Sequence, residues 1–186
     1  MGAVKAPMQV QVVVGLIVNP AEDLGAVRAA VVEAFGPSDM ESPVWPFDFT
    51  DYYAREMGTG LLRQFLALEE LTAVDGLHRM KIASNAIEER FASGSKNAPR
   101  PVNIDPGYIC HSKLVLFSTK DFSHRIYVGD GIFAESTLEW RGREYITHPW
   151  TFPDYRSANY RNFFAEVRVN YVRKLARPHA AGGREA

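Results

Sequence analysis

Cysteine is almost absent from the 186-residue chain, which has one, Cys110. A single thiol can close no intrachain disulfide and build no cysteine zinc site, and such usage fits a reducing compartment. Long apolar runs are also missing. The stretch VQVVVGLIV at 10–18 is too short to span a bilayer as a helix. It lacks a small-residue cleavage site and runs into NPAED, unlike a signal peptide. The expectation is a cytoplasmic protein with no membrane partner. A large net charge is lacking too: the formal charge is -1, so wholesale attraction to nucleic acid is not expected. The phosphate-cradling Gly-x-x-x-x-Gly-Lys-Ser/Thr, the dinucleotide Gly-x-Gly-x-x-Gly and the nucleophile elbow Gly-x-Ser-x-Gly do not occur, nor does His-Glu-x-x-His or an EF-hand loop. Each absence removes a function class that depends on that spacing.

What is present is an ordinary apolar share, 46%, with 11 Phe and 8 Tyr. This is enough to bury a core without staples. One α+β domain is expected over residues 8–175, with loose ends at 1–7 and 178–186. The run 8–18 is β-branched and continuous, as in a strand covered on both faces. Asn19, Pro20 and Glu22 read as the start of a helix whose stripe is Leu24, Val27, Val31 and Phe35, stopped by Gly36-Pro37. SPVWPFDFTDYY reads as an irregular edge strand. GLLRQFLALEELTAV carries Leu61, Phe65, Leu68 and Leu71 at helical spacing. In LHRMKIASNAIEERF, Asn85 with Glu88 looks like a cap dividing a short strand from a short helix. ASGSKNAPRP is either a loop over a ligand or a connector.

From Asn103 the pattern has period two. KLVLFSTK, HRIYVGD, GIFAESTLEW and REYITH read as an antiparallel β-meander joined by KDFS, GDG and RG. The chain closes on a helix capped by Ser157, with Tyr160, Phe164, Val167, Tyr171 and Leu175 as its apolar stripe. Within NIDPGY, Asp-Pro-Gly is a strong turn signal. In GIFAESTLEW, Ile132, Ala134, Ser136, Leu138 and Trp140 form one face, and Phe133, Glu135, Thr137 and Glu139 the other.

Charge is unevenly spread. Residues 156–177 hold six basic side chains against one acid, Glu166. A solvated helix face and an anion-facing segment are both compatible with this. The polar face of the meander is either solvated or the floor of a cleft. In the second case Lys, Arg and His would receive a phosphate or carboxylate, an Asp or Glu would hold a magnesium ion or take a proton, and aromatics would stack on a ring. Ser123-His124 near Asp121, and Cys110-His111, have catalytic residue types, but adjacent strand residues point to opposite faces.

FDFTDYYAREMG, VNIDPGYI, KLVLFSTKDFSHRIYVGDGIFAESTLEW and WTFPDYR, in that order, resemble a bacterial family known as a domain of unknown function, over roughly residues 8–175. Some of its members carry an automatic GTP-binding label. The resemblance implies a shared ligand site, because the matching phrases are rich in charged residues and Tyr. It makes GTP a candidate ligand, with any nucleotide held by side chains on strands, since no phosphate-cradling loop exists; Mg2+ is a candidate ion on the strength of the carboxylates alone. The site expected on these grounds takes a small phosphorylated or otherwise anionic ligand. Asp105, His124 and Glu135 would be its acid–base or metal-binding residues. Asp48, Thr50, Tyr53, Lys113, Lys120, Arg125 and Arg156 would bind the ligand. The alternative is a non-catalytic module that contacts protein or RNA through Trp45, Trp140, Trp150 and the basic C-terminal helix.

Overall fold

A computed structural model describes residues 2–177. Its elements run, in chain order, β1 (Val10–Val18), α1 (Leu24–Phe35), β2 (Ser38–Glu41), β3 (Trp45–Pro46), α2 (Ala54–Met57), β4 (Leu62–Thr72), α3 (Arg79–Gly94), β5 (Val102–Ile109), β6 (Lys113–Ser118), β7 (Ile126–Gly129), β8 (Ile132–Arg141), β9 (Glu144–Thr147), a 3-10 turn (Asp154–Arg156) and α4 (Ala158–Ala176). The fold is α+β. Among the described residues one antiparallel sheet runs β2-β4-β1-β5-β6-β8-β7, with β3 beside β4 and β9 beside β8. Residues 2–7 carry no regular structure, and residues 178–186, expected as a loose end, lie outside the described residues.

The sheet separates two cores. Val12, Val14, Leu16, Val27, Val31, Ile87, Ile104 and Phe117 pack on the side of α1 and α3. Val13, Phe65, Leu114, Leu138, Tyr160, Phe164, Val167 and Tyr171 pack on the side of α4. The continuous apolar run of β1 is thus a central strand, buried at every position. Ser157 caps α4 as expected, accepting from the Tyr160 N–H at 3.4 Å. The basic residues of α4 largely dock it: Lys174 donates to the Leu68 and Glu69 carbonyls, Arg161 to Tyr145 and Arg168 to His111.

Several local expectations are overturned. Residues 62–72 form a strand, β4, not a helix. It lies between β1 and β2, and with both faces of its first half covered, its leucines need no alternation. Helix α1 starts at Leu24 with Asp23 as its cap. Asn19 instead accepts from the Ala21 N–H and donates to the Met57 carbonyl. Helix α3 is continuous through Asn85. SPVWPFDFTDYY contributes two strand residues, Trp45–Pro46, and is otherwise irregular. The C-terminal strands are not in simple meander order, because β8 lies between β6 and β7. The β6–β8 register shifts between Leu114 and Val115, which leaves one extra residue in β8. Ile132 and Ala134 therefore pack on the α1/α3 side while Leu138 and Trp140 pack on the α4 side.

Asp105-Pro106-Gly107 is not a turn. All three residues lie inside β5, facing Gly15, Val14 and Val13 of β1. The Ile104 backbone groups point away from β1, towards α3. Pro106 has the same parity, so its missing N–H falls on a side where no ladder bond is made. Gly107 is required by proximity: a Cβ there would collide with the Val115 carbonyl and the Leu116 side chain. Gly107→Ala is expected to destabilise the fold by about 2 kcal/mol or more, read as a lowered urea midpoint.

Candidate functional site

Strand β5 pairs with β1 along its whole length but with β6 only from Gly107 to Ile109. Its first half has no strand on the other side, so the sheet is split there. Buried backbone groups at such an edge need partners. Helix α3 supplies them from one face, with Lys81, Ser84 and Glu88 spaced three and four residues apart. The Ile104 N–H donates to Glu88 Oε1 at 2.8 Å, and the Ile104 carbonyl accepts from Lys81 Nζ at 2.6 Å and Ser84 Oγ at 3.2 Å. Lys81 also reaches Asp105 Oδ1 at 3.2 Å. Glu88 Oε2 accepts from Arg100 at 2.9 and 3.1 Å, and Arg100 contacts Asn103, which donates to Asp105 Oδ2 at 2.5 Å.

Beside this split lies a cavity of about 760 Å³, within the size range of small-molecule sites. One wall comes from α3 and Arg100. The second comes from the 47–53 segment, the third from the ends of β6 and β8 with the 119–125 loop, and the fourth from residues 152–155. The floor is Arg63 on β4 with Asn103 and Asp105 on β5, the two strands that flank β1. Opposite Asp105 stands Gly15, whose lack of a side chain leaves room for Arg63: a Cβ there would press on the guanidinium at 3.2 Å and on Phe65 at 3.0 Å.

Arg63 is 1% exposed. Its Nη2 donates to the Tyr155 hydroxyl at 2.7 Å and lies 3.6 Å from Asp154 Oδ2. The guanidinium also sits 4.4 Å from the Phe65 ring centre and 5.3 Å from that of Tyr155, a favourable arrangement for a cation. Nε and Nη1 have no acceptor among the described residues. Burial works against the Arg63 cation, but Tyr155, Asp154 and Asp105 outweigh it and hold its pKa above the usual value. Burial pushes the Asp154 carboxyl up in spite of Arg63, and pushes the Tyr155 hydroxyl well up. At Asp105 burial is overcome by Lys81, Arg63 and the hydrogen bonds from Asn103 and Lys81, so the carboxyl is held below its ordinary range.

The structure brings some of the sequence-derived candidates together and not others. Thr50, Tyr53, Asp105, Lys120, Arg125 and Glu135 line the cavity. Glu135 is buried, accepting from Arg125 Nε at 2.7 Å, His124 Nε2 at 3.1 Å and Thr137 at 3.0 Å. His124 stands behind this wall, stacked between Phe122 and Trp150. Asp48 is exposed and outside the lining. Lys113 is exposed at the far end of β6, opposite Glu139. Arg156 spends its donors on the Thr151 and Pro149 carbonyls. The Asp105 carboxylate is directed to Lys81 and Asn103 rather than to Lys120, His124 or Arg125. With Asp105 and Glu135 committed to cations, no group of three metal-ligating side chains gathers among the described residues.

Sequence reasoning missed Arg63, Lys81, Glu88 and Arg100. The stripe Lys81, Ser84, Glu88 was visible only to a reader who took 79–94 as one helix. Arg63 was a lone cation in an apolar run, a signal that needs the run to be a buried strand. Of the three tryptophans, Trp45 packs on Phe65 and Tyr160, Trp140 lies under Arg168, and Trp150 is exposed. They form no common patch.

These features define an α+β protein with a split antiparallel sheet and a charged, aromatic-rimmed cavity at the split. The chain belongs to the family described as Domain of unknown function (DUF4416), whose model matches residues 8–171. No curated protein and no solved structure matches it. No helix among the described residues is long and apolar enough to cross a membrane.

Lys81→Met would leave Glu88 and Asp105 short of their cation, and an expected loss of about 3–5 kcal/mol follows, measured by urea unfolding. The Asp105 carboxyl has a folded pKa below its unfolded value of about 3.9. Its ionised form therefore stabilises the fold above that pH, and the contribution is lost as pH falls through the folded pKa. The stability gap between the wild type and Asp105→Asn is expected to be full at pH 7 and to shrink below about pH 4.

Proposed function

We propose that the cavity binds a small anionic ligand, carrying a phosphate or carboxylate, and that this is the protein's function. The observation that carries the reading is Arg63: a buried guanidinium on the cavity floor with two nitrogens lacking acceptors among the described residues. A buried donor without a partner costs about 1–3 kcal/mol; Nε and Nη1 are closed off from solvent, so an entering anion would be drawn by the guanidinium's charge through the cavity floor. Asp154 Oδ2 lies 3.6 Å from Nη2, and Asp105 acts on the same cation from the cavity floor, so the guanidinium meets carboxylate charge without a close ion pair at Nε or Nη1. A second cation stands at the mouth. Lys120 has no carboxylate partner among the described residues, and its Nζ donates to the Tyr52 hydroxyl at 2.5 Å. The cations Lys81, Arg100 and Arg125 are already paired with Asp105, Glu88 and Glu135 respectively, so they set the shape and field of the site rather than its free capacity.

A nucleotide such as GTP falls inside this class, with the base against the aromatic rim and the phosphates on the cations. The reading does not depend on a nucleotide or on Mg2+. The test is a thermal-shift titration with inorganic phosphate, succinate, GMP and GTP, with and without Mg2+. A bound anion at 100 times its dissociation constant raises stability by about 2.7 kcal/mol. Lys120→Ala, an exposed change that leaves the core intact, is expected to weaken binding about tenfold, the value of one charge-assisted hydrogen bond. Absence of a shift with every one of these anions at millimolar concentration would rule the reading out.

A further inference from the structure

Resting on that reading, we infer that the anion the cavity takes is borne on a flat ring, so that the substrate class is a ring-bearing acid rather than an aliphatic one. Large apolar side chains are ordinarily buried, and a cluster of exposed ones around a concavity marks a site. Here four of them share one mouth: Phe49 is 39% exposed, Tyr52 64%, Phe122 56% and Phe152 41%, and all four line the same cavity. They come from three separate segments, so chain proximity does not explain their meeting.

The rings are also held in place. The Arg125 guanidinium lies 5.0 Å from the centre of Phe122 and 5.9 Å from that of Phe152. Arg125 is itself fixed by Glu135, by Ser118 Oγ at 3.0 Å and by the Lys120 carbonyl at 2.9 Å. On the other side, Tyr52 is set edge-on against Tyr53 at 5.0 Å, and Tyr53 against Phe47 at 5.7 Å. Aromatic walls braced in advance lose little freedom when a ring enters, which is how such surfaces favour planar ligands. The ring would lie at the mouth, between Phe122/Phe152 and Phe49/Tyr52. The acid would face Lys120 and the Arg63 floor. The Tyr52 hydroxyl that now holds Lys120 would give way to the acid.

The experiment is calorimetric titration of the full chain with two matched pairs: GMP against ribose 5-phosphate, and indole-3-acetate against acetate. The ring-bearing member of at least one pair is expected to bind at least tenfold more tightly, in the range of one base–aromatic stack. Which pair shows the preference distinguishes a phosphorylated from a carboxylated ligand. Phe122→Ala and Phe152→Ala, exposed positions whose loss should leave the circular dichroism spectrum intact, are expected to collapse that preference towards unity. Equal binding of ring-bearing and ring-free members would overturn the inference while leaving the anion reading standing. No binding by any of the four would overturn both. Guanosine binding as tightly as GMP would overturn the anion reading and, with it, this one.

Discussion

The unpaired first half of β5 is the constraint from which the rest follows. An antiparallel sheet normally satisfies both edges of an interior strand, and here one edge is left to side chains. Glu88 and Lys81 take the Ile104 N–H and carbonyl, which forces a carboxylate and an ammonium into a buried position. Each charge then needs its own partner, so Arg100 is drawn to Glu88 and Asp105 to Lys81. The network is stable because it is closed: removing one member leaves another buried and unpaired, which costs more than the pair contributes. The same gap keeps β6 and β8 away from β5 at that end, and the space between them is the cavity.

Arg63 is a buried charge in this region that the network does not fully absorb. Taking a guanidinium out of water is expensive. It is tolerated because Gly15 clears its path and because the faces of Phe65 and Tyr155 lie against it. A structural role alone would be served as well by an apolar residue of similar length. Lys81, Arg100 and Arg125 stand in closed pairs with Asp105, Glu88 and Glu135, so their charges are largely cancelled within the walls.

The elements that were legible in the chain were those whose local signals agree with their surroundings. The continuous Val/Ile run of β1, the stripe of α1 and the Ser157 cap with the Tyr160–Tyr171 stripe of α4 each say locally what the fold requires. Strand β4 was illegible because a strand buried on both faces has no alternation. Its Leu61, Phe65, Leu68 and Leu71 therefore fell by accident on a helical period. Asp105-Pro106-Gly107 misled for a different reason. The backbone preferences of those residues are turn-like, but Pro106 lies on the edge that has no ladder, where its missing N–H carries no penalty, and Gly107 is needed for close approach rather than for a positive φ. In the polar phrases the residue types of a site could be read, and Thr50, Tyr53, Asp105, Lys120, Arg125 and Glu135 do line one cavity. Their roles could not be read, because whether a carboxylate is free or paired depends on α3, a segment with no turn or strand signal to link it to β5.

By itself the sequence determined the α+β class, the two-sided burial of β1, the amphipathic closing helix and the concentration of Asp, Tyr and Lys in a few phrases. These follow from periodicity and residue type, which act over a few residues. The tertiary structure alone decided which strand borders which, where the sheet splits and which charges cancel. Those depend on contacts between Lys81 and Asp105 or Arg63 and Tyr155, pairs far apart in the chain whose energies exist only once burial has removed the water between them.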